Sequence, residues 1–377
     1  MRKIKILFVV NVLERTAMYN FLLDIIKNLE KNKYEVMIFS IEKIGKEHLI
    51  VVKDFSDLGV RVNYTETKRK ISFLTLLKFN RVIKEFKPDI VHSNLGRATI
   101  FSRLFKIKHK FKLVDTIHNL KCAFNPLTRI AMHLTSNIPD FTVYVSKSSQ
   151  ISFEKKAFDL KEALKSNKKS CFIYNPIDLN KRKIKNKISR AELNLKKDDV
   201  IFIDVARLVK QKGHFNLLKA FKEAIKENNK LKLLIVGEGS LYSKINKFII
   251  DNNLSSHIFC MGFRRDVFSL LEVSDVFICP SVYEGLPLAF LEAMLFGLPI
   301  ISTNIGPVKE VVTHEKNGLL SDINDTKALK NNILLISRDK KLRKKLGMHS
   351  SLIVKKKFSA KKIAREYSSL YNFLVRK

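Results

Sequence analysis

The sequence predicts an α/β protein of two doubly wound, Rossmann-like domains. Short runs rich in Ile, Val and Phe recur along the chain, each followed by a stretch with helical periodicity. The series occurs twice, on either side of a polar, basic break near 180–198. Strands alternating with helices give a parallel sheet covered on both faces, and two such series give two sheets. A third observation divides the labour: nine of the twelve glycines follow residue 200. Glycine lets backbone approach a ligand closely, and ligands of doubly wound sheets sit at the carboxyl ends of the strands. The second domain is therefore the expected nucleotide side.

The expected strands of the first series are 4–10, 35–40, 89–92, 112–117 and 141–145. Those of the second are 200–205, 231–236, 257–260, 275–279 and 299–302. Helical periodicity fills 18–30, 73–86, 215–227, 286–296 and 326–336. The opening Met1–Val10 run is broken by Lys5 and ends at Asn11, so it reads as a first buried strand and not as a secretory leader. No stretch reaches the roughly 18 apolar residues of a membrane span. The break contains Asn180-Lys-Arg-Lys-Ile-Lys-Asn-Lys187, which has little to bury. The stretch 358–377 reads as an amphipathic helix.

Composition excludes several classes. At 377 residues and 46% hydrophobic, the chain can bury two sizeable cores and is not a disordered protein. Its cysteines, Cys122, Cys171, Cys260 and Cys279, are scattered and read as small buried residues in a reducing, cytoplasmic compartment. No zinc-ligand spacing occurs. The net charge of +35 invites an anionic partner, whether nucleic acid, a membrane surface or a phosphorylated substrate. It is shared about equally between the halves and alone selects no function.

The strongest motif runs from Pro280 to Pro299 and includes Glu284, Gly285, Pro287, Glu292 and Gly297. A buried strand ends near Cys279, a turn carries Glu284 and Gly285, and a helix opens with Pro287 in its first turn and stops at Gly297. Free amides at that helix start suit phosphate or sugar hydroxyls. Glu292, two turns down an apolar helix, needs hydrogen-bond donors such as ribose hydroxyls; a core backbone or basic partner would also serve. Arg207 and Lys212 follow the first strand of the second domain and can converge on a diphosphate. Leu233-Leu-Ile-Val-Gly237-Glu-Gly239 is a strand entering a Gly-x-Gly turn, with Tyr242 where a dinucleotide fingerprint has its third glycine. Gly262 and Phe263 offer backbone and a ring to a base, and read equally as a plain turn. In the first domain His118 ends a strand, where it can hydrogen-bond a sugar hydroxyl; His92 is similarly placed. No Asp-x-Asp occurs, so Arg207, Lys212 and a helix dipole take the place of a metal at the diphosphate.

With these motifs the chain resembles glycosyltransferase family 4, the retaining GT-B enzymes. The resemblance rests on Arg207 to Gly213, Val236-Gly-Glu-Gly239, Glu284 with Glu292, Gly306-Pro-Val-Lys-Glu310, Asn317-Gly318-Leu-Leu320, Val145-Ser-Lys147 and Tyr174-Asn175-Pro-Ile-Asp178. It implies two domains facing across a cleft: an acceptor-side domain over 1–180, a donor domain over 181–357, and a C-terminal helix over 358–377 returning to the first. It implies that Arg207 and Lys212 hold the donor diphosphate, that Glu284 approaches the sugar, that Glu292 binds the ribose, and that His118 contacts the sugar. The catalytic set is then His118, Glu284, Arg207 and Lys212. The donor-binding set is Arg207, Lys212, Gly237, Gly262, Phe263, Glu284, Gly285, Leu286, Leu288 and Glu292.

The implied reaction passes a sugar from a nucleoside-diphosphate sugar, uridine-linked by family habit, to a glycan or lipid-linked acceptor in surface-polysaccharide synthesis. It retains configuration and needs no metal or other cofactor. Two departures stand out: Asn11-Val-Leu-Glu-Arg15 replaces the family's Gly-rich first turn, and Ala206 replaces a glycine before Arg207. The basic, aromatic stretches 68–79 and 101–111 suit an anionic membrane surface. Competing readings explain less. An epimerase would consume donor without an acceptor, a phosphorylase needs a pyridoxal lysine, and a hydrolase needs both Glu residues at the reacting carbon. A nucleic-acid binder accounts for the charge but not for the spaced Glu, Arg and Lys, and shows no recognition module. A degenerate transferase that only binds is the remaining alternative.

Overall fold

A computed structural model describes residues 2–43, 48–66, 72–94, 96–182 and 187–376. The chain divides into two compact units, 1–176 with 360–377, and 177–359. Unit 1 holds a seven-stranded sheet: β1 Ile4–Val10, β2 Tyr34–Ser40, β3 Arg61–Tyr64, β4 Ile90–Asn94, β5 Lys112–Ile117, β6 Phe141–Tyr144 and β7 Ser170–Phe172. Its order is β3-β2-β1-β4-β5-β6-β7 and every pairing is parallel. Unit 2 holds β8 Val200–Val205, β9 Leu231–Val236, β10 Ile258–Cys260, β11 Val276–Cys279, β12 Ile300–Thr303 and β13 Gly318–Ser321. They are ordered β10-β9-β8-β11-β12-β13, again all parallel.

Strand alternation decides what covers each face. In unit 1, Leu7, Val9, Val91 and Leu113 meet Phe79, Val82, Ile83 and Phe101 from helices Phe73–Phe86 and Gly96–Lys106. The opposite face carries Phe8, His92 and Thr116. It is covered by helix Ala360–Arg376, which packs beside helix Ala17–Asn28. His92 is fully buried there, with Nδ1 2.6 Å from the Tyr371 hydroxyl and Nε2 2.6 Å from Thr116 Oγ1. This corrects its sequence reading: His92 is a core residue that pins the C-terminal helix, because its side chain points into the sheet face and not off the strand end. In unit 2, Phe202, Leu233, Ile235, Ile278 and Ile301 share a core with Leu217, Phe221, Ile245 and Ile333. On the other face Phe277 packs against Phe290 at 5.1 Å between ring centroids.

The three strands absent from the sequence reading, β3, β7 and β13, are all at sheet edges and three or four residues long. Cys122 is exposed and not buried, since it lies in the turn after β5.

Candidate active site

The loops that follow β8, β9, β10 and β11 rise from the carboxyl edge of the unit 2 sheet. The chain leaves β8 toward β9 and β10, then returns to β11 on β8's other side. The switch point of strand order, where such sheets bind ligands, is thus between β8 and β11. Lys212 comes from the loop after β8 and Glu284 from the loop after β11. Lys212 Nζ lies 2.5 Å from Glu284 Oε1, with both side chains largely buried. Burial presses the Lys212 ammonium toward its neutral form, but the Glu284 carboxylate outweighs this and holds its pKa above the ordinary lysine value.

The two loops are knit together by main chain. Val282 N donates to Gln211 O at 2.8 Å, and the Gln211 side-chain amide donates to Tyr283 O at 2.8 Å. Gly213 has φ +70°, and a Cβ there would stand 2.1 Å from Pro280 O. No other residue fits this approach. The Gly-x-Gly turn after β9 closes the other side. A Cβ on Gly237 would meet Ala206 O at 1.9 Å, and one on Gly239 would meet Leu208 O at 2.4 Å. These glycines let the β9 turn lie against residues 206–208. Leu208 N donates to Glu238 O at 2.8 Å, and Gly237 N donates to Gly262 O at 2.8 Å.

Arg207 is exposed at this edge, as is Phe263, which follows Gly262 in the turn after β10. Helix Leu288–Leu295 starts one residue after Pro287, which stands before the first turn and not in it. Gly285 and Leu286 are buried ahead of that helix, Leu288 is half-buried at its start, and Glu292 is buried within it. Gly297 follows the helix with φ +75°, the left-handed stop that its sequence position suggested. Arg207, Lys212, Gly237, Gly262, Phe263, Glu284, Gly285 and Leu286 therefore all stand on carboxyl-edge loops of one sheet. Gln211, which joins two of those loops, carries no sequence signal beyond its place in the Arg–Lys loop.

His118 belongs to unit 1, just past the end of β5. Its Nε2 is 3.0 Å from Asn94 Oδ1 at the end of β4, and Phe21 meets its ring edge-on at 5.0 Å. Burial pushes its pKa down to about 3, so the ring is neutral near pH 7. Asn94, missed in the sequence, is what fixes the ring. The glycine-free first turn is held in other ways. Asn11 Oδ1 accepts from Ala98 N at 2.8 Å, Leu13 N donates to Ser40 Oγ at 3.1 Å, and Arg15 pairs with Asp54 at 3.3 Å.

Two doubly wound parallel sheets, the second with a buried Lys–Glu pair at its switch point, define the GT-B class of α/β fold. The comparisons with known proteins carry this to a family. The family model "Glycosyltransferase Family 4" matches residues 19–181, and "Glycosyl transferases group 1" matches 185–350. The chain is 31% identical over 325 residues to the UDP-Gal:alpha-D-GlcNAc-diphosphoundecaprenol alpha-1,3-galactosyltransferase of Escherichia coli, covering 81% of each chain. It is 26% identical over 378 residues to the O-antigen biosynthesis glycosyltransferase WclY of Escherichia coli, covering 99% of each. Among solved structures, HepE of Anabaena in complex with UDP-glucose matches with a TM-score of 0.82 at 19% identity, over 98% of this chain and 99% of that one. The chain belongs to glycosyltransferase family 4, and it is a glycosyltransferase.

Proposed function

We propose that this enzyme takes a sugar from a UDP-sugar and passes it, with retention and without a metal, to a lipid-linked or glycan acceptor in surface-polysaccharide synthesis. The observation that carries the donor side is the Lys212–Glu284 pair at the β8/β11 switch point, with Arg207 exposed on the same loop as Lys212. Uridine and the lipid-linked acceptor are supported by relatives. HepE binds UDP and UDP-glucose, and the galactosyltransferase is named for a diphosphoundecaprenol acceptor.

In this reading the donor diphosphate takes Lys212 and Arg207 as its counter-charges. The diphosphate competes with Glu284 for Lys212 and so releases the carboxylate toward the sugar. Gly237, Gly262 and Phe263 receive the base side, Gly285, Leu286 and Leu288 bring backbone to the phosphates, and Glu292 takes the ribose hydroxyls. The neutral His118, with Nε2–H donated to Asn94, presents Nδ1 as an acceptor to a sugar hydroxyl. The acceptor hydroxyl attacks the anomeric carbon on the face the diphosphate leaves. The new C–O bond forms as the sugar–phosphate bond breaks, and the hydroxyl proton passes to the departing phosphate oxygen. Product made from a UDP-sugar in the presence of a chelator, with its anomeric proton coupling read by NMR, tests this. An axial donor giving an axial product is expected; an equatorial product would contradict retention.

Peripheral membrane binding belongs to the same reading. Among the described residues no helix is long and apolar enough to cross a membrane. Of the expected surface stretches, 68–71 lie outside the described residues. On the rest, Phe73, Leu74, Leu77, Leu104 and Ile107 are each at least half exposed, although Phe79 and Phe101 are core. Leu104 and Ile107 flank Lys106, one of six Lys and Arg residues lining a hollow of about 900 Å³ with Arg2, Lys84, Lys87, Lys110 and Lys112, against a single acidic residue there, Asp89. Flotation with anionic vesicles at low salt should capture the protein and neutral vesicles should not; no capture by either contradicts it.

A further inference from the structure

The β8 strand carries, one residue before its end, a side chain that a buried strand does not ordinarily hold. Asp204 is fully buried, and neither carboxylate oxygen has an aligned hydrogen-bond partner. Such a group requires compensation. It comes from His214, the first residue of helix His214–Glu227, whose Nδ1 lies 3.0 Å from Asp204 Oδ2. Both side chains have no exposed surface. The contact is an ion pair without hydrogen-bond alignment. The other ring nitrogen, Nε2, is 3.1 Å from the Arg207 carbonyl oxygen. A carbonyl only accepts, and a carboxylate only accepts, so the ring satisfies both neighbours when both nitrogens carry protons. Burial alone would favour the neutral ring. The Asp204 carboxylate and the Arg207 carbonyl overcome it against the opposing charge of Lys212, and the His214 pKa is raised. The buried thiol of Cys279 also feels both Asp204 and Lys212.

The geometry of the chain gives this pair a purpose. Residues 206–213 leave the sheet at the end of β8, and His214, which opens the next helix, comes back against Asp204, so the pair closes that loop at its base. The loop holds Arg207 and Lys212. A buried ion pair returns little net stability over an apolar pair of the same volume, which favours a positional role over a stabilising one. We propose that Asp204 and His214 are positioning residues for the diphosphate-binding loop. The pair closes the loop, and His214 grips the main chain under Arg207, so that both cations are preset for a nucleoside diphosphate before it arrives. This rests on the donor-site reading given above.

The test is the dissociation constant of UDP, measured by calorimetry for wild type, His214→Leu, His214→Gln and Asp204→Asn, with circular dichroism confirming each fold. His214→Leu and Asp204→Asn should each weaken UDP about tenfold or more, about 1.4 kcal/mol. His214→Gln keeps an N–H for the Arg207 carbonyl and should recover most of the affinity. Folded His214→Leu with wild-type affinity would overturn the proposal. Failure of both His214 variants to fold would also overturn it, by making the pair a folding element. Failure of wild type itself to bind UDP would strike the donor-site reading instead. The clamp is then read from hydrogen exchange of amides 206–213, which must be faster in His214→Leu than in wild type, and equal rates would sink it.

Discussion

The ammonium of Lys212 and the carboxylate of Glu284 form a largely buried pair that a diphosphate would compete for, and this makes their energetics readable. Replacing one partner of such a pair leaves the other charge without compensation, at about 3 kcal/mol. Glu284→Gln should therefore lower unfolding stability by about that amount in the absence of nucleotide, as measured by urea titration. UDP should return much of the loss, because its phosphates supply the missing negative charge. Equal destabilisation with and without saturating UDP would mean that the phosphates do not reach Lys212. Arg207 is exposed and its replacement should leave stability unchanged while weakening UDP by about ten- to a hundredfold. The Arg, Lys and Glu positions were legible in the sequence because each follows a recognisable apolar strand. Asp204 was not, since it stands inside such a strand, in Val200-Ile-Phe-Ile-Asp204, and was absorbed by it. His214 had a signal, its place directly after Gly213, but only the fold brings it back to Asp204.

At the scale of elements, the buried central strands were readable from apolar runs, while β3, β7 and β13 were not. An edge strand of three or four residues has one neighbour and few positions for a period to show; β10, an edge strand just as short, was readable because it is the apolar run Ile258-Phe-Cys260. Helix contacts were also invisible. Helix Lys340–Lys357 crosses the end of helix Leu288–Leu295 at Gly347, where a Cβ would stand 2.0 Å from Gly297 O. Gly347→Ala must force the two helices apart at an overpacking cost of about 1–3 kcal/mol; a thermal melt unchanged from wild type would contradict this. The C-terminal helix is held through His92, whose pKa burial pushes down to about 3. In the unfolded chain the same ring titrates near 6.5. Below that value the unfolded state takes up a proton that the folded state refuses. Stability contributed by the neutral ring is thus complete above about pH 6.5 and lost as the pH falls toward 3, by about 1.4 kcal/mol per unit. His92→Gln should flatten this part of the pH dependence between pH 6 and 4, as followed by urea unfolding; a slope equal to wild type would place the loss elsewhere.

For the whole molecule, the net charge of +35 was the least informative clue while it stood alone. The fold gives part of it a place, in the basic hollow of unit 1 and in the loop that carries Arg207 and Lys212 in unit 2. The central claim is that the unit 2 switch point binds a nucleoside diphosphate through side chains and not through a metal. It is tested most directly by thermal shift of wild type and Arg207→Ala with UDP and UDP-sugars, with a chelator present throughout. At ligand near 100 times the dissociation constant, binding adds about 2.7 kcal/mol to the folded state. Wild type should show a clear upward shift that the chelator does not diminish, and Arg207→Ala, binding about ten- to a hundredfold more weakly, should keep about half of it or less. A shift that appears only when a divalent metal is restored, or one that survives Arg207→Ala intact, would contradict it.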